Sequence, residues 1–136
     1  MRARLYVVPT FAFERINAAM AIYHFSAKVI SRANGSSALA SAAYRSASRL
    51  YDQRLDRHHD FSNKSGVIYS KVMAPAAVPA ELRERESLWN AVEAAEKRKD
   101  AQLPREIEFA LPRELDQSQA IELARGSITA PWRRRG

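Results

Sequence analysis

The chain has 136 residues, enough for one small domain with its own core, and its 46% hydrophobic and 27% charged residues suit a soluble globular fold. It contains no cysteine, which excludes disulfides, thiolate metal sites and cysteine nucleophiles and fits a cytoplasmic protein. A net charge of +7 favours polyanions, nucleic acid first and an anionic membrane surface second, while no apolar run approaches the roughly 20 residues of a membrane span.

Residues 1–19 mix arginines with Leu5, Val7, Val8, Phe11 and Phe13 and read as an N-terminal extension outside the fold, with Met20 as the natural start. From Ala21 to Ser31 polar and apolar residues alternate, Tyr23, Phe25, Ala27 and Val29 against His24, Ser26 and Lys28, which predicts a half-buried strand. Residues 32–36 form a turn in which Gly35 is free to take a positive φ. Ser37 to Leu50, rich in alanine and serine, predicts a helix capped by Ser36 or Ser37. Residues 51–65 are polar and read as a loop, and Gly66 to Met73 as a second strand. Pro75 and Pro79 lead into a helix over 80–98 with Leu82, Leu88, Trp89 and Val92 as its apolar bulk. Arg105 to Leu111 alternates Ile107, Phe109 and Leu111 against Glu106, Glu108 and Ala110, a third strand stopped by Pro112. Asp116 can cap a last helix over about 117–125, and residues 126–136 form an irregular basic tail. One-sided strands in the order β-α-β-α-β-α predict an α+β fold, an antiparallel or mixed sheet with flanking helices.

Three groups of side chains can carry chemistry. Tyr44, followed by Arg45 and Arg49, has the composition of a nucleophile beside phosphate contacts, but composition alone favours a tyrosine packed with its hydroxyl in water. Tyr51 is a second candidate, two helical turns on if the helix continues. Glu106 and Glu108 share a strand face; such a pair can hold a cation, orient a histidine, share a proton or simply form a wet face. His24, His58 and His59 form no compact HxH clamp, so the metal-ligand set is none. Tyr44, Tyr51 and Phe61 interleave with Arg45, Arg49, Arg54, Arg57 and Lys64, a mixture that suits single-stranded DNA, whose bases stack on rings while phosphates meet arginine.

Met20-Ala21-Ile22-Tyr23-His24-Phe25, Ser41-Ala42-Ala43-Tyr44-Arg45, the segment from Glu93 to Leu103 and the segment from Arg105 to Leu115 follow one another as ordered blocks. Together they resemble the N-terminal part of the MobA/MobL relaxases, plasmid mobilisation enzymes that nick DNA with a tyrosine. The resemblance runs from Met20 to about Arg125. It implies a partial relaxase domain over 20–125, an antiparallel sheet with flanking helices, incomplete at the C-terminus, cut short or shifted in frame. It implies site- and strand-specific nicking of single-stranded DNA at a transfer origin, with Tyr44 as nucleophile, Arg45, Arg49 and Tyr51 as DNA contacts, and Glu106 and Glu108 as active-site support. A divalent cation, Mg²⁺ or Mn²⁺, is implied for the complete family domain, and accessory mobilisation proteins are implied partners. The family's metal site is a downstream histidine cluster with an HxH pair, and this sequence has no histidine after His59. The alternative is therefore a non-catalytic single-stranded DNA-binding remnant.

A basic membrane-surface protein is the remaining class. The helix predicted over 80–98 carries Glu81, Glu84, Glu86, Glu93 and Glu96, too much acid for a membrane-binding face. The expected outcome is stronger binding to single-stranded DNA than to anionic vesicles at equal ionic strength, checked by filter retention against co-sedimentation.

Overall fold

The computed structural model describes residues 2–7 and 25–133, with side chains over 26–126. The chain divides into two compact units, one of residues 30–103 and one of residues 1–29 with 104–136.

In the first unit a short 3-10 turn, Arg32–Asn34, ends at Gly35, whose φ of 71° lets its N–H return to the Arg32 carbonyl. Ser37, in extended backbone, then caps helix α1, Ala38–Ser46, by accepting from Ala40 N at 3.3 Å. The buried face of α1 is Ala38, Leu39, Ala42 and Ala43, small enough for close approach of its neighbours. The helix predicted to reach Leu50 stops at Ser46. Ala47 adopts a left-handed conformation, φ 51°, and Ser48 N donates to the Ala43 carbonyl, which closes the last turn.

Strands β3, Arg49–Asp52, and β4, Arg57–Asp60, follow as an antiparallel hairpin in which Leu50 faces His59 and Tyr51 faces His58. (Strands β1, Arg2–Val7, and β2, Phe25–Ser31, come earlier in the chain.) The turn between them is held by Leu55 N donating to Asp52 Oδ1 at 3.1 Å, and Asp56 there takes a φ of 49°, a conformation aspartate tolerates. This hairpin replaces both the end of the predicted helix and the first part of the predicted loop. The strand predicted over 66–73 is not formed. Ile68 and Tyr69 are 57% and 42% exposed, and the alternating pattern has no partner strand among the described residues.

Helix α2, Arg85–Ala95, is preceded by a 3-10 turn, Ala80–Arg83, so the helix predicted over 80–98 is regular only in its middle. One stripe of α2, at 86, 90 and 93, is polar and faces inward. Glu86 Oε1 accepts from Tyr51 N at 2.6 Å; Asn90 accepts from Gln53 N at 3.0 Å and donates to the Tyr51 carbonyl at 2.9 Å. Glu93 takes Ala38 N at 2.8 Å on one oxygen and, on the other, Arg32 at 2.6 Å and Arg54 at 3.0 Å. Arg32 also donates to the carbonyls of Glu93 and Glu96, both at 2.6 Å. The start of α1, the hairpin and α2 thus meet on one buried carboxylate, alongside the apolar contribution of Trp89 and Leu39.

The second polar centre is Asp52, fully buried. It accepts from Ser37 Oγ at 2.6 Å and pairs with His59 Nε2 at 3.0 Å. Burial pushes its carboxyl up, but the hydrogen bonds from Ser37, His59 and Leu55 N outweigh that and hold it below the usual carboxylate range.

In the other unit β5, Gln102–Ala110, is the central strand of a three-stranded sheet, between β1, Arg2–Val7, and β2, Phe25–Ser31. β1 runs antiparallel to β5, from Arg2 opposite Ala110 to Val7 opposite Arg105. The described part of the 1–19 extension is therefore a strand of the sheet; residues 8–24 lie outside the described residues. Ile107 and Phe109 are buried as predicted, and Glu106, on the opposite face of the strand, is buried as well. Asp116 caps helix α3, Gln117–Arg133, reciprocally: it accepts from Gln119 N at 2.8 Å and its own N–H donates to Gln119 Oε1 at 3.0 Å. The helix runs on through Arg133 where an irregular tail was expected.

Two outcomes follow from the buried groups. Glu93→Ala leaves the nearly buried Arg32 without its carboxylate and the Ala38 N–H without its acceptor, and should lower stability by about 3–5 kcal/mol in urea denaturation. Since the carboxyl of Asp52 is depressed in the folded chain, the unfolded chain binds more protons in acid, and stability falls as pH drops below about 4. Asp52→Asn should be less stable near neutrality and lose less on acidification, read as urea midpoints across pH.

Candidate functional site

Tyr44 sits in the last turn of α1, 41% exposed. Its ring meets Phe61 edge-on, with centroids 5.3 Å apart and planes at 87°. The Arg45 guanidinium carbon lies 4.9 Å from the ring centroid and Lys64 Nζ 4.0 Å from it. Lys64 Nζ also donates to the Tyr44 carbonyl at 3.0 Å. Phe61 and Lys64 are brought there by the end of the hairpin: Phe61 N donates to the Ser48 carbonyl and Lys64 N to the Phe61 carbonyl, both at 3.0 Å. Asp60 Oδ1 fixes the turn between them by accepting from Ser62 N and Oγ.

The outer face of the hairpin carries the other predicted contacts. Arg49 lies opposite Asp60, at 3.9 Å, with both side chains more than half exposed. Tyr51 packs its ring against His58 at 5.1 Å and donates a hydrogen bond from its hydroxyl to Asp56 Oδ1. That hydrogen bond raises the Tyr51 hydroxyl above its ordinary range; the little burial it has and the charges of Asp56 and Asp52 add to it. Tyr44 and Tyr51 therefore do not share a helix face. One stands at the end of α1 among cations, the other on β3 beside a carboxylate. His58 and His59 point apart, as adjacent residues of an extended chain do, but on a strand rather than in a loop: His59 is buried on Asp52 and His58 exposed on Tyr51. His24 lies outside the described residues.

Glu106 and Glu108 belong to the other unit. Glu106 is 4% exposed and its carboxylate lies 3.6 Å from Lys28 Nζ; Glu108 is half-buried. Among the described residues no group of three or more His, Asp or Glu side chains is placed to hold a metal ion. Among the described residues Asp52 and His59 form a buried acid–histidine pair, and Asp52 also accepts from Ser37 Oγ and Leu55 N. The described side chains thus do not fit a complete divalent-cation site. No described helix is long and apolar enough to cross a membrane. Sequence reasoning missed Asp56, Glu93 and the Ser37–Asp52–His59 network. Glu93 and Ser37 lie in elements the sequence did assign, but nothing in their spacing marks an inward-facing polar partner.

The MobA/MobL family model matches residues 36–136, which includes α1, the hairpin, α2, β5 and α3. Mobilization protein MobL of Acidithiobacillus ferridurans is 47% identical over 111 residues, 82% of this chain and 29% of that protein. Conjugal transfer protein TraA of Agrobacterium fabrum is 41% identical over 119 residues, 80% of this chain and 11% of that protein. A chain in the solved structure described as "Molecular Basis of Vancomycin Resistance Transfer in Staphylococcus aureus" superposes with a TM-score of 0.72 at 44% identity, over 77% of this chain and 54% of that one. This chain spans 29% and 11% of the length of those two curated relatives. With three quarters of its length matched and its α+β fold shared by that structure, the chain belongs to the MobA/MobL family.

Proposed function

We propose that this chain acts in plasmid mobilisation as a DNA relaxase, nicking one strand at a transfer origin through a tyrosine–DNA phosphodiester, with Tyr44 as nucleophile. The observation that carries the reading is an exposed phenol within the family-matched segment, flanked by the cations of Arg45 and Lys64. The relatives named for mobilization and conjugal transfer support it.

In the proposed step Tyr44 Oη attacks the phosphorus of one phosphodiester. An Oη–P bond forms, a P–O bond to the sugar breaks, the phenol proton is given up and the departing sugar oxygen takes one. One ester replaces another, so the strand can be resealed. Arg45 and Arg49 contact phosphates, and Tyr51 offers a ring to a base. The Asp56 bond argues against Tyr51 as the attacking group, because it stabilises the protonated phenol. Single-stranded DNA is the substrate, and accessory mobilisation proteins are its proposed partners. A divalent cation, Mg²⁺ or Mn²⁺, is the proposed cofactor of the complete family domain.

Incubating the full chain with labelled transfer-origin single strand and Mg²⁺ or Mn²⁺ should give a denaturation-resistant adduct. It should vanish in Tyr44→Phe and persist in Tyr51→Phe. Absence of any adduct with salt-sensitive binding intact would instead establish the non-catalytic DNA-binding alternative. In either case Arg49→Ala should weaken binding and reduce the slope of log affinity against log salt by about 0.7.

A further inference from the structure

We infer that Lys64 is a positioning residue for Tyr44, holding the tyrosine ring and its backbone together in the orientation from which the hydroxyl meets a phosphate. The inference rests on the nucleophile reading above and adds to it a residue outside α1, twenty positions along the chain.

The cause lies in where α1 ends. Because the helix stops at Ser46, the Tyr44 carbonyl is among the last four of the helix, which have no intrahelical N–H to accept from. Lys64 Nζ supplies that missing donor at 3.0 Å, a known use of lysine near a helix C-terminus. The same ammonium lies 4.0 Å from the centroid of the Tyr44 ring. One cation thus fixes both the main chain and the side chain of a single residue. Phe61 sets its ring against the Tyr44 ring in the edge-on arrangement aromatic pairs favour. Asp60, four residues before Lys64 in the chain, accepts from Ser62 and faces Arg49. An exposed tyrosine at a helix end would otherwise move among rotamers, and covalent attack demands a narrow range of approach.

The test separates geometry from activity. In the free full chain, the ε-methylene protons of Lys64 should resonate upfield of the other lysines through the Tyr44 ring current and return to the ordinary position in Tyr44→Leu. With DNA, Lys64→Met, which keeps the stem and drops the charge, should form adduct about tenfold more slowly while binding single strand within about threefold of the parent. Lys64→Arg should restore most of the rate, and Lys71→Met should match the parent. An ordinary Lys64 resonance, or an undiminished rate in Lys64→Met, overturns the inference. If the parent chain forms no adduct, the nucleophile reading fails, and the holding of Tyr44 is then decided by the resonance alone: upfield supports it, ordinary overturns it.

Discussion

Glu93 joins pieces that sequence order keeps far apart. One oxygen of its carboxylate takes the first free N–H of α1, and the other lies between the guanidiniums of Arg32 and Arg54. A carboxylate this deeply buried is costly unless every lone pair is used, and here both oxygens are used. The consequence is geometric. The start of α1, the turn of the hairpin and the third turn of α2 are located by one group, and Asn90 and Glu86 extend the same stripe along the backbone of Tyr51 and Gln53. Everything that surrounds Tyr44 inherits its place from that anchoring, because α1 carries the tyrosine and the hairpin delivers Phe61 and Lys64.

The sequence was legible where apolar periodicity or a cap did the positioning. Ser37, Gly35 and Asp116 take up the roles their chemistry predicts, and Ile107 and Phe109 fill one face of β5. It was illegible where polar groups face inward. The hairpin from Arg49 to Asp60 buries Asp52 and His59, residues that read as loop, and its preceding helix ends on an alanine in a left-handed conformation, which no glycine advertises. The segment around Val67–Val72 erred in the opposite direction: its β-branched and aromatic residues fit a sheet surface, and among the described residues no neighbouring strand is supplied. For the site, Tyr44, Arg45 and Arg49 could be singled out from one short stretch, whereas Lys64 and Asp56 gain meaning only once the hairpin has folded back.

Two tyrosines seven residues apart end in opposite electrostatic surroundings. Tyr51 donates a hydrogen bond to a carboxylate and is kept a phenol; Tyr44 has two cations against its ring. Residue type and spacing made them equivalents, and the single break at Ala47 sends them to different elements. That break also leaves Arg49 and Tyr51 on the exposed face of a strand, where a flexible polyanion can reach both.

The early end of α1 has an electrostatic consequence as well. The peptide dipoles of a helix sum to roughly half a negative charge at its carboxyl end, and Tyr44 stands in that last turn. A phosphate arriving there enters a repulsive field, the reverse of the helix amino terminus at which anions are usually held. Lys64, bonded to the Tyr44 carbonyl, and Arg45 beside it place positive charge on the very groups that generate the field. The basic residues gathered at this end of α1 thus act first on the helix itself, making its carboxyl terminus hospitable to an anion.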